Sequence, residues 1–148
     1  MKASPLNLLD YYVTDLSFSV NKAYDYKKPS EFRLEDLVVE PTLIQVENAV
    51  PDSAATGKWQ MRLRVRHVPA PDRNAPSQFM VELVGVFSVV SGYPADKIQT
   101  LLEVNGASLL YGAARQVVRS ATAQGPHAPV MLPSVSFYPP KKSAAEMK

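Results

Sequence analysis

The sequence predicts an α+β domain: a four-stranded antiparallel sheet with C-terminal helices packed on one face. Apolar residues recur at period two through the first two thirds of the chain, and at helical period only beyond residue 94. Strands therefore precede helices, which argues against a βαβ alternation. A length of 148 residues with 46% apolar residues suits one core. Residues 1–140 are expected to form the single domain and residues 141–148 a flexible tail.

The best-marked strand spans residues 58–68. Trp59, Met61, Leu63, Val65 and His67 alternate with Gln60, Arg62, Arg64 and Arg66, giving a dry face and a wet one. Residues 78–90 form a strand that is apolar on both sides. Phe79, Val81, Leu83, Phe87 and Val89 share one face; Met80, Val84 and Val86 share the other, where Glu82 and Ser88 interrupt them. Such a strand is central, or one of its faces meets another subunit. The proline-stiffened link of residues 68–76 joins the two as a loose hairpin.

An earlier strand within residues 8–20 changes phase. Leu9, Tyr11 and Val13 share one face, while Leu16, Phe18 and Val20 share the other, which implies a bulge near Thr14 and Asp15. A further strand is expected at residues 42–48. Residues 21–40 carry Tyr24, Tyr26, Phe32, Leu34, Leu37 and Val38 without clean periodicity. Connections of this length are functional or disordered.

Helices close the chain. Residues 94–104 open on Pro94, place Ile98, Leu101 and Leu102 at helical spacing, and meet a stop at Asn105 and Gly106. A longer helix is expected at residues 107–123, with Leu110, Ala114, Val117 and Ala121 as its apolar stripe. Gly125 ends it and Pro126 forbids continuation. Residues 129–137 read as a proline-pinned extended segment.

Few patterns carry chemistry. There is no cysteine, hence no disulfide and no thiolate ligand or nucleophile. No phosphate-binding glycine loop or nucleophile elbow occurs. His67 reads as a hydrogen-bonded core or interface residue, and His127 lies in a proline-rich loop; neither has carboxylates at metal-ligand spacing. No catalytic residue, metal or cofactor is expected. No signal-peptide pattern opens the chain and no run reaches the ~20 apolar residues of a membrane span, so a cytoplasmic location without membrane insertion is expected. A net charge of +2 demands no nucleic-acid partner.

Arg62, Arg64 and Arg66 form a basic row with two readings. The row is a solvated face paired across strands with Glu47 or Glu82, or it docks an acidic partner or a nucleic-acid backbone. Tyr24, Tyr26 and Phe32 either cap the core or line a groove for extended polypeptide.

The last third resembles the C-terminal half of the SecB export chaperones. Leu109-Leu-Tyr-Gly-Ala-Ala-Arg115 and Gly125-Pro-His-Ala-Pro-Val-Met-Leu-Pro-Ser-Val-Ser-Phe137 align without gaps on the family's Ile-Leu-Phe-Pro-Tyr-Ala-Arg-Glu run and its Leu-x-Pro-Val-Asn-Phe ending. Upstream, Val13-Thr-Asp-Leu-Ser-Phe18 and Phe79-Met-Val-Glu-Leu-Val-Gly-Val-Phe87 resemble family strands in the same order. The resemblance implies an ATP-independent holdase for unfolded preproteins, acting as a dimer of dimers, with SecA as a further partner. It implies a client groove at Tyr24, Tyr26, Phe32 and Leu34, and an oligomer interface at Val81, Leu83, Leu110, Ala114 and Val117. Asp15 and Glu82 fall at acidic SecA-type contacts; Ser19, Gly112-Ala113 and Gln116 depart from the family's glutamate, Pro-Tyr and glutamate. A SecB-fold adaptor for one dedicated client, such as a toxin–antitoxin or secretion partner, is the alternative reading, and a nucleic-acid-binding sheet a further one.

Overall fold

The computed structural model describes residues 1–44 and 58–139. The tail at residues 141–148 and the end of the strand expected at 42–48 lie outside them. Four strands form one antiparallel sheet: β1 (Leu6–Val20), β2 (Leu37–Ile44), β3 (Lys58–His67) and β4 (Ser77–Val89), in the order β1-β4-β3-β2. The two-sided strand β4 is indeed central, and β1 and β2 are the edges. The second strand begins at Leu37, five residues before the expected start at residue 42. Leu37, Val39, Pro41 and Leu43 lie opposite His67, Val65, Leu63 and Met61, so a pattern too short to read alone is fixed by its neighbour.

The phase change in β1 is resolved by irregularities between Leu8 and Asp10 and between Val13 and Asp15. The second is the bulge expected near Thr14. An extra residue rotates the strand, so Tyr11, Val13, Leu16 and Phe18 all reach one face, opposite Gly85, Leu83, Val81 and Phe79.

Beyond β4, Ala95–Lys97 forms a 3-10 turn leading into helix α1 (Ile98–Leu101). The stop expected at Asn105 and Gly106 is not one. Residues Leu102–Gly106 form a π turn that runs on into helix α2 (Ala107–Thr122). Gly106 is buried and takes helical angles, φ −62° and ψ −46°. The helix continues because burial against the core, absent from local sequence, outweighs glycine's poor propensity.

Helix α2 lies on the sheet through Ala107, Leu110, Tyr111, Ala114, Val118 and Thr122. Its buried stripe is thus rotated from the expected one, and Val117 and Ala121 are only half-buried. Leu110 reaches the sheet because Gly85 has no side chain: a Cβ there would stand 2.5 Å from Leu110 Cδ2. Residues 129–137 then cover the helix. Leu132 is fully buried, and polar contacts pin this extended segment. Tyr111 Oη donates to the Pro133 carbonyl (2.6 Å), Arg115 Nε to that of Leu132 (2.9 Å), and the Val130 N–H to Thr122 Oγ1 (2.8 Å).

Candidate functional site

The connection from β1 to β2 is a built surface rather than a loose loop. Asn74 holds one end of it. This residue has φ of 49°, a left-handed conformation that asparagine tolerates. Its Oδ1 accepts the Asp25 N–H (2.9 Å), and its Nδ2 donates to the carbonyls of Asp25, Lys28 and Pro29 at 3.0, 3.3 and 3.4 Å. Asn21 adds a bond from its Nδ2 to the Ala75 carbonyl (2.8 Å). Arg73 holds the other end, with Nε 3.2 Å from Asp36 Oδ2 and Nη2 3.4 Å from Glu35 Oε2. The Asp36 contact is an ion pair out of line for a hydrogen bond. The proline link of residues 68–76 is thus the clamp for the connection, a role that only tertiary structure reveals.

The four expected groove residues sit on this clamped segment in different settings. Tyr24 is half-buried and meets the His127 ring edge-on, with centroids 4.7 Å apart. Phe32 stacks on His67 at 4.6 Å and 19°. Tyr26 and Leu34 are 78% and 61% exposed, and Lys27 Nζ lies 5.8 Å from the Tyr26 ring centroid. His67 is buried and also meets Phe79 at 5.3 Å, so three rings form a column from core to surface. It was expected to be hydrogen-bonded, yet its Nδ1 has no partner among the described residues. Burial pushes its pKa below the ordinary imidazole value, with the Asp36 charge pulling weakly the other way.

Beside Phe32 and His67 lies a cavity of about 240 Å³, walled by Ala75, Pro76, Val130 and Met131. A larger hollow of about 590 Å³, of mixed polar and apolar lining, lies among Lys22, Asp25, Lys28, Asp72, Asn74 and Gln78. Of the four expected groove residues only Phe32 lines either of them; Tyr24, Tyr26 and Leu34 line neither.

On the outer face of the sheet, Asp15 and Glu82 are cross-strand partners. The arginine row is paired across strands: Arg64 Nη2 lies 2.8 Å and Arg62 Nε 3.7 Å from Glu82, and Arg66 Nη2 lies 3.2 Å from Glu40. Glu47 lies outside the described residues. Thr14 Oγ1 donates a further bond to Glu82 Oε1 (2.9 Å). The hydrogen bonds from Arg64 and Thr14 hold the Glu82 carboxyl below the usual carboxylate range.

Val81, Leu83, Leu110 and Ala114, expected at an oligomer interface, are fully buried in the chain's own core between sheet and helix. A side chain without solvent exposure in one subunit has no area to offer a second. The apolar side chains that remain exposed on the helix-bearing face belong to β1: Tyr11, Val13 and Leu16, at 41–45% exposure. Sequence reading missed them, because the bulge that brings them together shows only as broken alternation.

Among the described residues no group of His, Asp or Glu side chains could hold a metal ion. No helix among them is long and apolar enough to cross a membrane. Among the described residues, an antiparallel sheet with β1 and β2 at its edges and a clamped, aromatic, surface-exposed connection is the class of surface on which polypeptide chains dock.

The comparisons give that class its family. Residues 1–139 match the family model described as SecB, preprotein translocase subunit SecB. The protein-export protein SecB of Mesorhizobium japonicum is 31% identical over 134 residues, covering 89% of this chain and 74% of its own. That of Rhodopseudomonas palustris is 26% identical over 135 residues, covering 91% and 80%. Among solved structures, a SecB-like chaperone from Mycobacterium tuberculosis, in complex with a peptide of an antitoxin, superposes with a TM-score of 0.62 at 15% identity, covering 89% of this chain and 88% of that one. A protein of unknown function from Streptococcus agalactiae reaches 0.51, also at 15% identity, covering 90% and 100%. The chain belongs to the SecB family, a divergent member of a family of export chaperones rather than of enzymes.

Proposed function

We propose that this protein is an ATP-independent, non-catalytic holdase of the cytoplasm, which keeps preproteins unfolded by binding them along Tyr24, Tyr26, Phe32 and Leu34. The observation that carries the reading is the clamped aromatic connection. Phe32, Leu34 and Tyr26 keep 39–78% of their surface exposed although Asn74 and Arg73 fix the segment on both sides. Rigid, exposed rings offer contact area with few rotors to freeze, which suits extended chains of varied sequence. A holdase then works by mass action, withdrawing unfolded chain from folding and aggregation.

Self-association belongs to the proposal. Tyr11, Val13 and Leu16 form an exposed apolar strip beside the outer edge of β1, a 15-residue strand that pairs there with no other strand among the described residues. A second copy of the chain would cover both, and a dimer of dimers would then present several grooves to one client, whose weak contacts add through effective concentration.

The adaptor reading has its own support. Glu82 is tied to Arg62, Arg64 and Thr14, so SecA would compete with internal ion pairs for its charge and would find Asp15 as the freer carboxylate. The mycobacterial neighbour, solved with an antitoxin peptide, is a precedent for one dedicated client.

Titration of a labelled, permanently unfolded polypeptide tests the proposal. Saturable binding that weakens in the Tyr24→Ala, Phe32→Ala double variant supports it, and no binding at micromolar protein contradicts it. Binding through apolar grooves should change little between low and moderate salt, whereas a nucleic-acid face would lose affinity steeply. A pull-down from cytosol separates the two chaperone readings: many preproteins with SecA for an export holdase, one client for an adaptor.

A further inference from the structure

We infer that the outer face of the sheet, opposite helix α2, docks an acidic polypeptide along the arginine row of β3. This surface is separate from the aromatic connection and independent of the groove reading given above. Strand register lays the face out in stripes. Lys58, Arg62, Arg64 and Arg66 follow one another along β3, with Gln60 between the first two. Same-face neighbours on a strand stand about 7 Å apart, so the three arginines span roughly 13 Å. Beside them β4 contributes Met80, Glu82, Val84 and Val86. Glu40 flanks the row from β2. Asp10 and Asp15 lie on β1, two strand spacings or about 10 Å of backbone away.

Internal pairing leaves the row open to a partner. On the outer face of β2, β3 and β4, four cations meet two carboxylates among the described residues, Glu40 and Glu82. The Glu82 side chain is sunk, at 14% exposure, whereas those of Arg62, Arg64 and Arg66 keep 43–46% open. An incoming chain therefore meets guanidinium groups before it meets that carboxylate. Arg64 donates from Nε and Nη2 to Glu82 Oε2, at 3.1 and 2.8 Å, which fixes the plane of its fork. A fork of five donors is not exhausted by that pair, and one already held in place loses little freedom on taking a second carboxylate. Discrete carboxylates suit the row better than a phosphate backbone. Glu40 on one side, with Asp10 and Asp15 on the other, would repel a continuous line of negative charge. Acidic side chains two apart on an extended chain, or four apart on a helix, stand about 6–7 Å from each other, which matches the arginine spacing. No aromatic ring lies among the arginines on this face of β3 for bases to stack on.

The test uses three labelled, unstructured peptides of one sequence without apolar residues, carrying Glu, Gln or Lys at alternate positions. Each is titrated into the full chain and followed by fluorescence anisotropy. At low salt the Glu peptide should bind about tenfold more tightly than the Gln peptide, the effect of a few exposed charge pairs together. Raising the salt should shrink that advantage severalfold. The Arg62→Gln, Arg66→Gln double variant, which spares the Arg64–Glu82 pair, should erase the preference with far-ultraviolet dichroism unchanged. Equal binding of the Glu and Gln peptides, tighter binding of the Lys peptide, or a preference that survives the double variant overturns the inference. So does a single-stranded oligonucleotide of equal charge that displaces the labelled Glu peptide at lower concentration than the unlabelled peptide does, since that marks a nucleic-acid face.

Discussion

Gly85→Ala tests how helix α2 seats on the sheet. The added methyl would stand 2.5 Å from Leu110 Cδ2, closer than real carbon contacts, and a tight 3.0 Å from Phe87 Cε2, with both side chains fully buried. Leu110 cannot rotate into solvent, so the helix must lift or neighbouring side chains must leave their rotamers. Overpacking of this kind costs about 1–3 kcal/mol. In a domain of this size that lowers Tm by roughly 3–10 °C. Urea denaturation at one fixed protein concentration should show the lower midpoint with an unchanged slope. A double-mutant cycle sharpens the test. Leu110→Ala alone should cost about 2–5 kcal/mol by opening a cavity. Combined with Gly85→Ala it should cost clearly less than the sum, because the new methyl enters the space Leu110 vacates. An unchanged midpoint for Gly85→Ala, or strictly additive costs, would refute this packing.

Four further predictions follow from other contacts. Asn74→Ala removes the clamp on the connection, should cost about 2 kcal/mol, and should expose Lys22, Lys27 and Lys28 to trypsin well before the rest of the chain is cut. His67, buried neutral with its pKa lowered, binds its proton more weakly folded than unfolded, so stability should fall as pH drops below about 6.5 and level off once the folded imidazole titrates. Thermal melts of His67→Phe across that range should lose this component. Glu82→Gln should cost at most about 1 kcal/mol, since its arginine partners are largely exposed, and should leave client binding unchanged. Leu16→Asp should convert any assembly to smaller species in analytical ultracentrifugation with far-ultraviolet dichroism intact.

Much of the fold was legible because its information is local. The alternation from Trp59 to His67 and the two-sided strand around Leu83 state their faces outright, and Gly125 with Pro126 marks the end of the long helix. What escaped depends on contacts distant in sequence. The start of β2 at Leu37 is set by register with His67, and the passage through Gly106 by its burial in the core. The interface residues illustrate the same point. A strand apolar on both faces fits a subunit contact as well as a covered core, and only the packing of Leu110 and Ala114 over Val81 and Leu83 decides between them. Within the candidate site the aromatic types were readable, but not their clamp, since an asparagine in a proline-rich link looks like any turn residue until its four bonds to the connection are seen.

The most direct test of polypeptide holding is aggregation of a chemically denatured model protein diluted into buffer without nucleotide. Light scattering should fall in proportion to added chaperone and approach zero near a small molar excess, with suppression weakened by the Tyr24→Ala, Phe32→Ala double variant. Undiminished scattering at several-fold excess of the unaltered, folded chain would contradict the account.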